Sequence, residues 1–454
     1  MPKSPPIATT AVEAYVAVNP DEALQSGDAR YVSLDSARGA NNLAKTLRTR
    51  IVGHEQSSSS GVHARFLVTG HRGCGKTTEL YRLKELLTEE HFAVVYFDAE
   101  SELNLQDLKW WNILIEMVWQ IDEQLSKFPF NLAIPNQLLD DATEWIARTV
   151  TQKTERTAME ASLATEFGVS TGLPFFAKAK AAIRALVKGS SETIKKIESE
   201  AERRPTQLYE AVAAVVSHVR KELYEKRGGG GVVIIVDGLE KIPFRQIEGS
   251  LTTYNSLFIH NGAHLKTPPC HLIYSLPLSL LTSEKIGEVF PSRPFIMPML
   301  HVRHREGKED RHALNLMAEV IRKRVSPTLF ASGVIKMLAL ASGGHLRDFL
   351  SLVREAAGEA EENPRITQTH AKRAIAAQID LYNRTILQEF IEPLDYVAQH
   401  NQLSGGPLDG ELVSHLLVLK YRNNEAWTRL HPCVSEAPRC VRAPRASKEE
   451  ISSS

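Results

Sequence analysis

The chain has 454 residues, 43% of them hydrophobic, which is enough to bury a large core and more than one domain. Lys plus Arg and Asp plus Glu each number 54, and the resulting formal net charge of zero argues against a protein wholly given to nucleic acid. No long charge-free apolar run or apolar leader core is present, and four scattered cysteines exclude a disulfide scaffold, so a cytoplasmic location is expected.

Residues 1–39 read as an irregular or partly helical lead-in. ANNLAKTLRTRIV (40–52) carries apolar residues at helical spacing, EQSSSSG is a flexible join, and HARFLVTG is a strand ending at Gly70. TTELYRLKELLTEE continues as a helix and FAVVYFDAE (92–100) as the next strand. From 104 to 227 helical patterns interrupt the strand series, one of them spanning roughly 138–163, until four glycines introduce VVIIVDGLEK (232–241). HLIYSLP (271–277) is a further buried strand. After about 301 the pattern is mostly helical, and LSGGPLDGELVSHLLVLKYRNNEAWTRLHPCV reads as a compact terminal piece before a mobile tail. The expected divisions are a core over 40–300, including the helical insertion 104–227, then helices over 301–365, a winged-helix-like unit over 366–436, and the tail 437–454. Strands alternating with helices place the fold in the α/β class.

GHRGCGKTT (70–78) satisfies G-x-x-x-x-G-K-[ST] between a strand and a helix. Glycines let the backbone turn and approach an anion, and the amide hydrogens of the loop can surround phosphate oxygens. Gly70, His71, Arg72, Gly73, Cys74, Gly75, Lys76, Thr77 and Thr78 are therefore the expected nucleotide contacts. Lys76 would reach the terminal phosphates, and Thr77 would meet Mg²⁺. Cys74 reads as a small loop-packing residue. Asp237, closing the apolar run of the DGLEK segment, is the expected carboxylate for organising Mg²⁺ through water. Hydrolysis also needs a group to position water. Gly238 cannot supply one; Glu240 can, with Asp98 and Glu100 as rivals. Ser275 at a strand end is a candidate phosphate sensor, with a local backbone role as the alternative. Arg347, after two glycines, is a candidate cation for phosphate. Arg322 and Arg324 are candidates for reaching a neighbouring subunit. The histidines of HVRHREGKEDRH, with their mixed charge and irregular spacing, read as an exposed helix or loop rather than a metal site.

These motifs (GHRGCGKTT, VVIIVDGLEK, HLIYSLP and SGGHLR) resemble those of P-loop ATPases of the AAA+ and signal-transduction NTPase group. The resemblance implies a parallel-sheet ATPase core of the ASCE type, a helical lid, and often a winged-helix-like domain, with ATP and Mg²⁺ as cofactors. DGLEK is similar to the Asp-Gly-hydrophobic-acid arrangement of NACHT-like signalling ATPases, in which Glu240 is the matching later acid. In such a family ATP stabilises one domain arrangement and hydrolysis to ADP and phosphate releases it. Bacterial relatives couple such switches to stress or phage defence through self-association or a separate protein effector. Two other readings remain open: a DNA-associated AAA+ regulator, motivated by the winged-helix-like piece, and a small-molecule phosphotransferase.

Overall fold

The computed structural model describes residues 6–39, 42–57, 62–127, 129–167, 173–187, 191–249, 251–282, 285–361, 363–423 and 425–441. The serines at 58–60 and the tail beyond 441 lie outside them. The chain divides into two compact units: 1–43, 69–82 and 296–454 form one, and 44–68 with 83–295 form the other.

The second unit carries most of a five-stranded sheet. Its strands are β1 (Arg65–Gly70), β2 (Ala93–Asp98), β3 (Val232–Asp237), β6 (His271–Ser275) and β7 (Phe295–Met297), in the order β2-β3-β6-β1-β7; β4 (Gln246–Glu248) and β5 (Leu251–Thr252) make a small separate pair. The pairs β2–β3, β3–β6 and β6–β1 are parallel. Helices cross between parallel strands, so these strands are covered on both faces and read as continuous apolar runs; every residue of VVIIVD is buried. The α/β class expected from the alternation is the one observed.

Between β2 and β3 the described elements are helical. Trp110–Leu125 is apolar around most of its circumference, and its Ile113, Leu114, Met117, Val118 and Ile121 join Val95, Phe97, Ile234 and Val236 in one core. That helix also deals with the exposed edge of β2. The Gln124 side-chain amide donates to the Tyr96 carbonyl (2.7 Å) and accepts from the Tyr96 N–H (3.3 Å), occupying groups that an edge strand would otherwise offer to another chain. The helix expected over 138–163 is instead two, Asn136–Thr151 and Arg156–Phe167. The first ends where Gln152 adopts a left-handed conformation (φ 54°) and its N–H closes on the Arg148 carbonyl. The helix before the loop runs over Leu43–Ser57, longer than the expected 40–52. Strand 92–100 is shorter than expected, because the Asp98 side chain accepts the Glu100 N–H and caps a helical turn at Ala99–Glu102.

The first unit is helical around its own core. Ala11, Ala14 and Val18 of the lead-in pack with Met317 and Ile321 of the helix Arg311–Arg322 and with Phe349, Leu352 and Ala356 of Leu346–Ala360. The lead-in helix Ala11–Ala17 starts with a reciprocal Thr10–Glu13 capping box. Beyond Gln368–Thr385 and Ile391–His400, the strands β8 (Val418–Asn423) and β9 (Glu425–Leu430) form an antiparallel hairpin, in which the cross-strand partners Tyr421 and Trp427 stack at 4.3 Å. No described helix is long and apolar enough to cross a membrane.

Candidate nucleotide-binding site

The first unit contains the glycine-rich loop and the start of the helix Lys76–Glu89. Gly73 (φ +83°) and Gly75 (φ +99°) take conformations that side chains disfavour. At Gly73 space is also decisive: a Cβ there would lie 2.7 Å from Arg347 Cβ and 2.9 Å from His345 Nε2. The loop backbone is in contact with the beginning of Leu346–Ala360. His345 Nε2 lies 2.7 Å from the Arg72 carbonyl, and the Arg347 N–H donates to the Gly73 carbonyl at 3.2 Å. Lys76 is buried, and its Nζ donates to the carbonyls of Gly70 and His71, both at 3.1 Å. His71 accepts the Lys420 N–H of β8 on Nε2 (2.9 Å). Burial, reinforced by the charges of His345, Lys420 and Lys76, holds its pKa well below the ordinary imidazole value, so this ring is neutral. Cys74 is buried, and its carbonyl accepts from Arg38.

The lead-in lies along this segment. The Leu24 N–H donates to Thr78 Oγ1 (3.3 Å), Ser26 Oγ to the Tyr81 carbonyl (2.9 Å), and the Tyr31 hydroxyl to the buried Glu79 (2.9 Å). The Arg347 guanidinium lies 3.4 Å from Asp21. Behind the loop a chain of buried polar groups continues. His345 Nδ1 is 2.9 Å from Asp348 Oδ1, while Oδ2 accepts the Tyr382 hydroxyl (2.6 Å) and lies 3.1 Å from His431 Nε2. Burial alone would raise the Asp348 pKa, but His345 and His431 hold this carboxyl far below the usual range. Arg322 is exposed, whereas Arg324 is buried and donates to the Val320 carbonyl (2.8 Å), so it is not presented to a neighbouring molecule.

The second unit carries the acidic group. Asp98 and Asp237 are register partners at the carboxyl ends of β2 and β3, and Ser275 pairs with Val68 at the ends of β6 and β1. Open α/β sheets place ligands at this end of their strands. Asp237 is buried; its Oδ1 accepts the Gly238 N–H (2.9 Å) and its Oδ2 the Tyr96 hydroxyl (3.0 Å). Ser275 is fully buried, and its Oγ accepts the Leu239 N–H of the turn after β3 (3.0 Å). At Gly238 (φ +79°) a Cβ would lie 2.0 Å from Asp98 Oδ1, so a side chain there would displace Asp98. Glu240 follows in the tight turn Leu239–Lys241 and is half-buried. Its two rivals are both tied to Lys241, Asp98 at 3.1 Å and Glu100 at 2.6 Å, and Glu100 is exposed.

Thr77 in the first unit and Asp237 in the second each carry oxygen of the kind that hard cations such as Mg²⁺ take. Asp237, with both oxygens already accepting hydrogen bonds, suits a hold through water. Sequence reasoning passed over Tyr96, Arg38, Tyr31, Glu79, His345 and Asp348. Of these only His345 stood inside a quoted motif; the others reach their places through long-range packing that no local pattern records.

No family model matches the chain, and no curated protein matches it. Among solved structures it is similar to the crystal structure of Cdc6p from Pyrobaculum aerophilum, with 11% identity over 94% of this chain and 96% of that one, at a TM-score of 0.37. An overlap that loose assigns neither fold nor activity.

Proposed function

We propose that the chain is an ATP-binding, slowly hydrolysing conformational switch. Lys76 and the loop amides hold the triphosphate, and Thr77 and Asp237 hold Mg²⁺, which supplies charge neutralisation at the phosphates. Glu240 positions the attacking water, since Lys241 already engages Asp98 and Glu100. Gly238, in the place where motor ATPases of the resembled group carry a second acid, fits slow turnover. Ser275 supports the turn after β3.

The observation that carries the switch is the seating of the loop carbonyls of Arg72 and Gly73 on His345 and Arg347. A loop that rearranges around phosphate must move these contacts. His345 then passes the change to Asp348, Tyr382 and His431 through bonded, buried groups. The readout is self-association or engagement of a separate protein effector in the cytoplasm, with bacterial stress or phage defence as the setting that the motif resemblance favours. Sedimentation with ATP and with ADP, beside phosphate release, tests this. The switch gives an ATP-dependent change in size and slow release, both lost in Lys76→Ala. Tight ATP binding with constant size and no release would overturn it.

A second reading, a DNA-associated regulator, draws on the order of helices Ile391–His400 and Asp409–Ser414 before the β8–β9 hairpin, with Arg422 exposed on it. Salt-dependent duplex binding lost in Arg422→Ala would favour it over a protein effector.

A further inference from the structure

We propose that His301, His304 and Asp310 form a site for one divalent transition-metal ion of the zinc class, which clips the turn leading into the helix Arg311–Arg322. The proposal does not depend on the nucleotide reading.

The turn brings the three together. The His304 N–H donates to the Lys308 carbonyl (2.8 Å), the Gly307 N–H to His304 (2.9 Å) and the Asp310 N–H to Val302 (2.9 Å), with Arg303 and Glu309 bridged antiparallel. Gly307 allows the reversal with φ +91°. One donor atom from each of the three residues lies within 4.8 Å of the others. His301 Nδ1 is 2.8 Å from Asp310 Oδ2, and His304 Nε2 is 3.9 Å from the same oxygen. Ligands at about 2.05 Å from a tetrahedral zinc stand ~3.4 Å apart, a value these two separations bracket.

The division of labour at Asp310 leaves one oxygen for a cation. Its Oδ1 accepts the N–H groups of His312 (2.9 Å) and Ala313 (3.1 Å) as the helix cap, and Oδ2 faces the imidazoles. His301 is 5% exposed; its Nδ1 has the Asp310 Oδ2 contact alone, and its Nε2 has no hydrogen-bond partner. A metal ion between them would engage the imidazole nitrogen and the carboxylate oxygen that now face one another directly. The His304 side chain is 41% exposed, which gives an ion an entry and a position for water. Two imidazoles and one carboxylate suit zinc-class ions, whereas Mg²⁺ and Ca²⁺ favour all-oxygen sets.

The other comparable cluster among the described residues, Glu55, His63 and His271, lacks this character. There His271 Nδ1 already accepts the Ala64 N–H (3.0 Å), its Nε2 faces Glu55 at 2.9 Å, and the Arg220 guanidinium sits 3.1 Å from the same carboxylate. In that cluster His271 and Glu55 are already engaged by Ala64, by each other and by Arg220, although His63 Nδ1 has no hydrogen-bond partner.

The test titrates Zn²⁺ into chelator-treated full-length protein by calorimetry, and repeats it with Co²⁺ read by visible absorption. The variants are His304→Ala, whose half-exposed side chain can be removed without opening the core, and Asp310→Asn, which keeps a cap oxygen. With 16 histidines in the chain, His63→Ala is the control for binding elsewhere. The expected result is one tight ion per chain, with affinity falling at least about tenfold in His304→Ala and Asp310→Asn and unchanged in His63→Ala. The Co²⁺ spectrum should disappear with the first two, and chelation should lower the melting temperature of the wild type but not of His304→Ala. Absence of a stoichiometric ion, or equal retention by all the variants, would overturn the proposal.

Discussion

Gly238→Ala should destabilise the protein through a defined local conflict. The residue sits at φ +79°, ψ −1°, a left-handed conformation that costs a residue with a Cβ roughly 1–2 kcal/mol. The new Cβ would also lie 2.0 Å from Asp98 Oδ1, so Asp98 must swing away. Asp98 then gives up its cap on the Glu100 N–H, worth about 0.5–2 kcal/mol, and its contact with Lys241, worth about 0.2–1 kcal/mol at this exposure. Together these give roughly 2–5 kcal/mol. At roughly 2–4 °C per kcal/mol, the melting temperature should fall by at least about 4 °C. A double-mutant cycle separates the two causes. In an Asp98→Ala background the steric part is gone, so Gly238→Ala should then cost only the conformational ~1–2 kcal/mol. A wild-type-like melting temperature for Gly238→Ala, or the same loss in both backgrounds, would show that no such conflict exists at Gly238.

Ser275→Ala leaves the Leu239 N–H buried without its acceptor, so stability should fall by about 1–3 kcal/mol while the ratio of ATP to ADP affinity stays unchanged; a collapse of that ratio would mark Ser275 as a phosphate sensor instead. His345→Ala removes the link from the Arg72 carbonyl to Asp348, and both melting temperature and ATP affinity should drop; unchanged ATP affinity would detach this network from the loop. Acid should weaken the fold well before carboxylates titrate. Burial holds His71 neutral, and His63 is pushed down to about 4, chiefly by burial, while unfolded imidazoles take up protons near pH 6.5. Because these folded pKa values are depressed, the stability they represent is complete above about pH 6.5 and is lost as pH falls below it, down to about 4 for His63. For the fully buried His71 the slope reaches ~1.4 kcal/mol per pH unit. A melting temperature constant between pH 7 and 5 would contradict this.

The loop and the strands around it were legible because their chemistry is local. A glycine-rich run between an apolar strand and a helix, and an apolar run ending in Asp237, have few other readings. The helical insertion was legible as helix, but not its break at Gln152, where a polar residue takes a left-handed turn that glycine would normally announce. Tyr96 on Asp237, Gln124 on the edge of β2, and Arg38 on Cys74 were invisible, since each pairs residues far apart in sequence. The turn carrying His301, His304 and Asp310 shows the same limit from the other side. Its irregular spacing suggested a solvated segment, and a reversal at Gly307 brings the three side chains together.

The proposed switch rests on ATP binding by the loop at 70–78 through Lys76. Equilibrium binding of labelled ATP with Mg²⁺, run on the full-length wild type and on Lys76→Ala with matched melting temperatures, addresses it directly. Saturable binding of one ATP per chain in the wild type and its loss in the variant are the expected results. Equal binding by both proteins, or none by the wild type, would contradict this mode of binding.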